Sequence, residues 1–216
     1  MNASYPSRAI IDLDAYRFNL QRVQGLSGGA KLIPVLKANA YGHGLIPLAH
    51  AALQLDVNML AVATVQEGID LRENGIKTPI LVMVSPNKKE LPLFLEYQLI
   101  LTVVNKEIAQ EISALAHGAN RVAPIHCKID TGMGRQGVAL EEAMEMIQFV
   151  SRLTPLDIQG IFTHFPSADE ADPKFTQNQI KAFRKLIKQV DKVGCPYEIA
   201  HAANSAAIVN YPKSCF

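Results

Sequence analysis

Short apolar runs alternate with amphipathic stretches along almost the whole chain. Seven runs read as strands, at 31–36, 59–64, 80–84, 99–104, 123–129, 158–163 and 197–201. Each is bounded by polar or turn residues, as buried parallel strands are. Helical spacing lies between them. Ile180, Phe183, Ile187 and Val190 fall on one face, with Gly194 placed to stop that helix. Leu140, Met144, Ile147 and Val150 form a similar stripe, and 13–23 predicts a helix ahead of the first strand. Thr64 and Glu67 have the spacing of a capping box, which starts a helix just after a strand. Seven β-then-α units in a row predict an all-parallel α/β fold. Their number favours a (β/α)8 TIM-type barrel over an open doubly wound sheet, with the eighth strand missing from these residues.

The 216 residues suit one large domain, and 49% hydrophobic content is ample for its core. A net charge of +1 gives no basic excess for nucleic acid and no acidic tail. No apolar stretch reaches the length that spans a bilayer. Residues 1–7 lack the charged-then-apolar order of a signal peptide. Cys127, Cys195 and Cys215 are odd in number and far apart, which supports neither a zinc ribbon nor a disulfide framework. These features predict a reduced, cytoplasmic enzyme or binding protein with no nucleic-acid or membrane partner.

In a (β/α) barrel the reactive residues sit where strands end and the next loops begin. Lys37 ends the first run, Lys128 and Asp130 end the fifth, and Arg135 lies in the loop beyond. His164 ends the sixth run, and His201, Asn204 and Ser205 follow the seventh. All would meet at one mouth. An amine held among apolar neighbours loses charge readily and can attack an aldehyde; a lysine stem on apolar surface with its head in water is the ordinary alternative. Ser205 opens a predicted helix, where it either caps the helix or helps bind phosphate, and Tyr41 could add a hydroxyl. Lys128 and Asp130 share a strand face, so a plain Lys–Asp pair is one reading of them. Gly132, Gly134 and Gly137 match GxGxxG, with Asp157 downstream as a ribose ligand. The helical pattern starts only after Gly137, so these glycines read better as freedom for the backbone around Arg135. His43, His50, His117 and His126 have no metal-ligand spacing.

Four segments together resemble the alanine racemase family, which depends on pyridoxal 5'-phosphate (PLP). Val35-Leu36-Lys37-Ala38-Asn39-Ala40-Tyr41-Gly42-His43-Gly44 is similar to its cofactor-attachment motif. Lys128-Ile129-Asp130-Thr131-Gly132-Met133-Gly134-Arg135-Gln136-Gly137-Val138 resembles a second motif. Gly160-Ile161-Phe162-Thr163-His164-Phe165 and His201-Ala202-Ala203-Asn204-Ser205-Ala206-Ala207 resemble a third and a fourth. The likeness runs from about Ala9 to Ala207. It implies that Lys37 carries PLP covalently and serves as one of two acid/base groups. It further implies that Arg135 binds the cofactor's phenolic oxygen and the substrate carboxylate. His164 would support the pyridine-nitrogen side, Tyr41 and Ser205 would hold the phosphate, Asn204 would be a further cofactor-binding residue, and Lys128 would be carbamylated so as to orient Arg135. The implied reaction interconverts L- and D-alanine, supplying D-alanine for peptidoglycan, in a homodimer.

The resemblance also implies two absences. The family's second acid/base group is a tyrosine of a C-terminal β domain, contributed by the partner subunit, and residues 1–216 would be the incomplete N-terminal barrel domain without it. The arginine that faces the pyridine nitrogen would lie in the missing eighth strand. Three other readings stand beside a racemase: a single-domain PLP-homeostasis protein, an inactive racemase fragment, and an NAD-dependent oxidoreductase using the glycine loop.

Overall fold

The computed structural model describes residues 8–55 and 57–216; the first seven residues, where no signal peptide is expected, lie outside them. Strands β1 (Leu60–Val62), β2 (Ile80–Val82), β3 (Ile100–Val103), β4 (Ala123–Asp130), β6 (Leu156–Phe162) and β7 (Ile199–His201) run parallel in the order β1-β2-β3-β4-β6-β7. A two-residue strand, β5 (Val138–Ala139), pairs with the end of β4. Helices connect the strands, so the sheet curls as a (β/α)8 TIM-type barrel does. The expected first strand at 31–36 is reduced to one bridge, Val35 to Ala61. Leu36 N–H donates to Ala61 O at 2.8 Å and Ala61 N–H to Pro34 O at 2.9 Å. Pro34 has no N–H to extend that ladder.

Side chains alternate across each strand and build two cores. Leu60, Val62, Ile80, Val82, Leu101, Val103, Ile125, Cys127 and Ile129 face the helices in the larger one. Ala61, Leu81 and Ile100 make a smaller interior cluster with Ile33, Val35, Met59 and Met83. The same alternation sends Thr102, His126 and Lys128 to the interior, where all three are buried. The barrel interior is therefore apolar near β1 and β2, and its buried polar side chains, Thr102, His126 and Lys128, come from β3 and β4. This asymmetry places the chemistry on one side of the mouth.

The helices follow the sequence signals with two adjustments. α1 (Leu13–Leu26) is capped by Asp12, whose carboxylate accepts from Asp14 N–H and Ala15 N–H. α4 (Val65–Glu73) starts on the Thr64–Glu67 capping box with both reciprocal bonds present. α8 (Lys174–Val193) buries the predicted face and ends on Gly194 at φ +70°, a left-handed conformation that glycine adopts without penalty. α7 (Ala143–Val150) begins three residues later than Leu140, so its buried stripe is Ala143, Met146, Ile147 and Val150. α9 (Ser205–Asn210) is capped by Asn204, not by Ser205: the Asn204 side chain accepts from Ala207 N–H.

Arg72 staples two connections together. Its guanidinium donates to Ile76 O, Thr78 O, Tyr97 O and Gln98 O at 2.6–2.9 Å. A lysine ammonium cannot reproduce that planar fork. Arg72→Lys is expected to lower stability by about 2 kcal/mol, measured by urea denaturation. An unchanged midpoint would mean that water serves those carbonyls equally well.

Candidate active site

Lys37 opens a single turn, α2 (Lys37–Tyr41), that winds the wrong way. Ala38, Asn39, Ala40 and Tyr41 have φ between +52° and +55°, the left-handed region. Each such L-residue costs roughly 1–2 kcal/mol, so the turn needs external support. Glu67 supplies part of it: one carboxylate oxygen accepts from Ala38 N–H at 2.6 Å, the other from Ala63 N–H and Thr64 N–H at 2.8 and 3.0 Å. Asn39 Oδ1 accepts from Leu45 N–H at 2.7 Å, tying the turn to α3 (Leu45–Leu53). Ala40 N–H donates to Leu36 O at 2.8 Å and Gly42 N–H to Ala38 O at 2.9 Å. Lys37 Nζ lies 5.8 Å from the centre of the Tyr41 ring, which is largely exposed.

Beyond β4 the chain makes a tight loop around Arg135. Gly132, Gly134 and Gly137 have φ of +131°, +71° and +133°. The three glycines thus meet a backbone requirement, as expected. No helix opens within the motif, since α7 starts only at Ala143; a dinucleotide fingerprint needs one there. The simple Lys128–Asp130 ion pair is not formed. The Asp130 carboxylate instead accepts from Gly132 N–H at 2.8 Å and Gly134 N–H at 2.7 Å, which fixes the loop. Gln136 Nε2 donates to Met83 O at 3.1 Å and joins the loop to the end of β2.

A stack of rings lies beneath Lys128 inside the barrel. Its Nζ is 4.8 Å from the centre of the Phe162 ring, which stacks on His201 at 4.7 Å with 6° between planes. His201 Nε2 shares a proton with His126 Nδ1 at 3.0 Å. Room for His126 comes from Gly160, where a β-carbon would fall 2.6 Å from the imidazole. A register shift between Ile125 and His126 sets Gly160 opposite that ring. Removal from water drives both histidines neutral: His126 is lowered to about 4, and His201 falls well below its ordinary value, pushed further by His126 and Lys128. His201 is therefore a bonded interior residue below the mouth. Among the described residues no three His, Cys, Asp or Glu side chains gather as a metal site.

Lys37, Lys128, Arg135 and His164 converge at the C-terminal ends of the strands. Lys128 is pushed down to about 8 by burial first, then by the charge of Arg135; Asp130 raises it and Lys37 lowers it again. His164 is lowered by burial and then by Lys128, Arg135 and Lys37. Among the described residues none of these groups pairs with a carboxylate within salt-bridge distance. Asn204 Nδ2 donates to Phe165 O at 3.0 Å, so its amide anchors the start of α9 to the β6 loop. The N–H groups of Ser205 and Ala206 have no acceptor inside that helix. The site thus offers two primary amines, Lys37 and Lys128, a guanidinium and free backbone donors, a set that fits an anionic aldehyde carrying a phosphate.

Lys128 gives a pH test. Its folded value lies below the unfolded one, so between about 8 and the ordinary lysine value the unfolded chain binds more protons. The Lys128 contribution to the unfolding free energy should therefore rise with pH across that window, opposed at its upper end by Cys127, whose thiol burial pushes up to about 12. Lys128→Met should lack that contribution, so its unfolding free energy should change less favourably with pH than that of the unaltered protein, as followed by urea denaturation at a series of pH values. In buffers purged of carbon dioxide, so that Lys128 is the free amine, the same slope in both proteins would contradict the burial argument.

The family model for the alanine racemase N-terminal domain matches residues 11–216. The chain belongs to the alanine racemase N-terminal domain family. It is 39% identical over 211 residues to the alanine racemase of Desulforamulus reducens, covering 97% of this chain and 57% of that protein. It is 41% identical over 209 residues to the alanine racemase of Clostridium tetani, covering 96% and 54%. Among solved structures, alanine racemase of Clostridium difficile 630 in complex with cycloserine superposes with a TM-score of 0.95 at 35% identity, covering 100% of this chain and 60% of that one. The chain thus spans a little over half the length of these relatives.

Within this racemase-type barrel, several supports of the mouth gave no signal in the sequence. The left-handed turn after Lys37, the Glu67 bond across 29 residues and the His126–His201 pair across 75 join segments that local patterns cannot connect. The run of Gly42 and Gly44 was the only cue to an unusual backbone near Lys37. Among the described residues no helix is long and apolar enough to cross a membrane.

Proposed function

We infer that this barrel is the cofactor-holding part of a PLP-dependent alanine racemase. The convergence of Lys37, Lys128, Arg135 and His164 on one mouth, with no carboxylate at salt-bridge distance among the described residues, carries the reading. Lys37 would hold PLP covalently. Arg135 would bind its phenolic oxygen and the substrate carboxylate, a planar fork suited to both. His164 would lie toward the ring nitrogen. Ser205, the N–H groups opening α9 and Tyr41 would take the phosphate side, and Asn204, bonded to Ala207 and Phe165, would hold that helix start against the cofactor. When bound, PLP supplies the electron withdrawal that acidifies the substrate's α-proton. The residues of this chain orient the amino acid, exclude water and move a proton at one face, where Lys37 Nζ is the acid/base group.

Lys128 has a further role in this reading. An amine lowered to about 8 is available as the neutral base that takes up carbon dioxide. The resulting carbamate would be an anion beside Arg135 and would remove an unpaired buried charge. Intact-mass analysis should then find the added carbamate in native protein and lose it in Lys128→Ala.

Racemisation also needs a group on the opposite face. By the family's pattern this is a tyrosine of the C-terminal β domain, reaching in from the partner subunit of a homodimer; the substrate would be alanine and the product D-alanine for peptidoglycan. The test is α-proton exchange. The protein loaded with PLP is mixed with each alanine enantiomer in deuterated water and followed by proton NMR. Exchange of at least one enantiomer supports the reading. Cofactor bound at Lys37 with no exchange of either would favour a PLP-homeostasis role or an inactive fragment.

A further inference from the structure

α8 presents an apolar face to the barrel with two buried polar residues, Thr176 and Gln179, at its N-terminal end. Gln179 is 1% exposed among Ile180, Phe183, Leu186 and Ile187. A buried amide is costly unless its hydrogen bonds are replaced. Gln179 Nε2 donates to Thr131 Oγ1 at 3.1 Å and to His164 O at 3.2 Å. Thr131 Oγ1 lies 2.8 Å from Thr163 Oγ1. Thr131 opens the loop that carries Arg135, and Thr163 precedes His164. On the same helix, one turn earlier, the Phe175 ring lies 3.5 Å from where a Gly132 β-carbon would stand. One face of α8 thus grips both loops.

We propose that Gln179 is a positioning residue, whose amide holds His164 and the Arg135 loop in fixed relation across the ends of β4 and β6. The two hydrogens of the amide nitrogen serve two acceptors in different loops. Methionine fills the same space and donates nothing. Glutamate would turn an oxygen toward the His164 carbonyl and repel it. The functional side of the proposal rests on the cofactor reading above; the geometric side does not.

The test follows the His164 imidazole by NMR in the whole 216-residue chain, together with PLP captured at Lys37. His164 is surrounded by Lys128, Arg135 and Lys37, and burial adds to their effect. Gln179→Met should loosen that cluster, move the His164 midpoint up toward the ordinary histidine value, and lower capture roughly tenfold. Phe183→Leu on the same helix should reduce stability yet leave the midpoint where it is. If Gln179→Met does not fold, Thr131→Val and Thr131→Ser decide. Valine should shift the midpoint and serine should not. An unmoved midpoint in Gln179→Met, or equal midpoints in the two Thr131 variants, overturns the proposal. A moved midpoint with no capture even in the unaltered chain leaves positioning standing and sinks the cofactor reading.

Discussion

Gly137→Ala is expected to destabilise the protein by about 5 kcal/mol and to dislodge Arg135. Two constraints add at this position. The backbone has φ +133°, which no side chain-bearing L-residue adopts comfortably. A β-carbon would also stand 2.8 Å from Asp130 N, 3.0 Å from the Ile129 carbonyl carbon and 3.2 Å from Lys128 O. These are main-chain atoms of β4, which is paired with β3, β5 and β6 and cannot withdraw. β5 must therefore detach, and the loop between β4 and β5 carries Arg135. Gly134→Ala is the control. Its φ is +71°, but nothing lies within 4 Å of the added carbon, so the cost should be about 1 kcal/mol. Urea denaturation of both variants measures the difference. Equal losses would mean that the close approach of Gly137 to β4 is not what holds the loop.

The second large effect belongs to Glu67. Its carboxylate joins three backbone donors, at Ala38, Ala63 and Thr64. Hydrogen bonds to a charged group contribute about 1.5–3 kcal/mol each when nothing replaces them. Water can reach Ala38 and part of the Thr64 region, so Glu67→Ala is expected to cost about 3–4 kcal/mol in total. The more specific result is on the turn. Without the Ala38 bond, four consecutive left-handed residues lose a support and relax, and Lys37 leaves its place at the mouth. Reaction of Lys37 with PLP should fall by more than the stability loss explains. Glu67→Gln keeps one carbonyl acceptor and should be intermediate in both measurements. A folded Glu67→Ala protein with full capture at Lys37 would contradict this account of the turn.

Much of the fold could be read from periodicity because its elements are local. The runs at β1 and β2 are continuous, buried and apolar, β3, β4 and β6 keep buried apolar positions between polar ones, and the capping box of α4 and the glycine stop of α8 are signals within a few residues. The first strand misled because Pro34 leaves the apolar pattern intact while removing the N–H that pairing needs. β5 was invisible because two residues after a glycine loop carry no period. At the site, the strand ends did name Lys37, Lys128, Arg135 and His164. The supports did not announce themselves. Asp130 looked like a partner for Lys128 and is instead an acceptor for its own loop, a local choice between two bonds that spacing alone cannot make. Glu67, His126 and Gln179 act through tertiary contacts 29 to 75 residues distant along the chain, or, for Gln179, on two loops at once.

The central claim is that Lys37 is the amine that captures an anionic aldehyde at a cationic barrel mouth. Incubation with PLP, reduction with borohydride and peptide mapping test it most directly. One reduced pyridoxyl adduct is expected, on Lys37, lost in Lys37→Ala while the variant remains folded. An adduct on another lysine, or none in soluble folded protein, would contradict it.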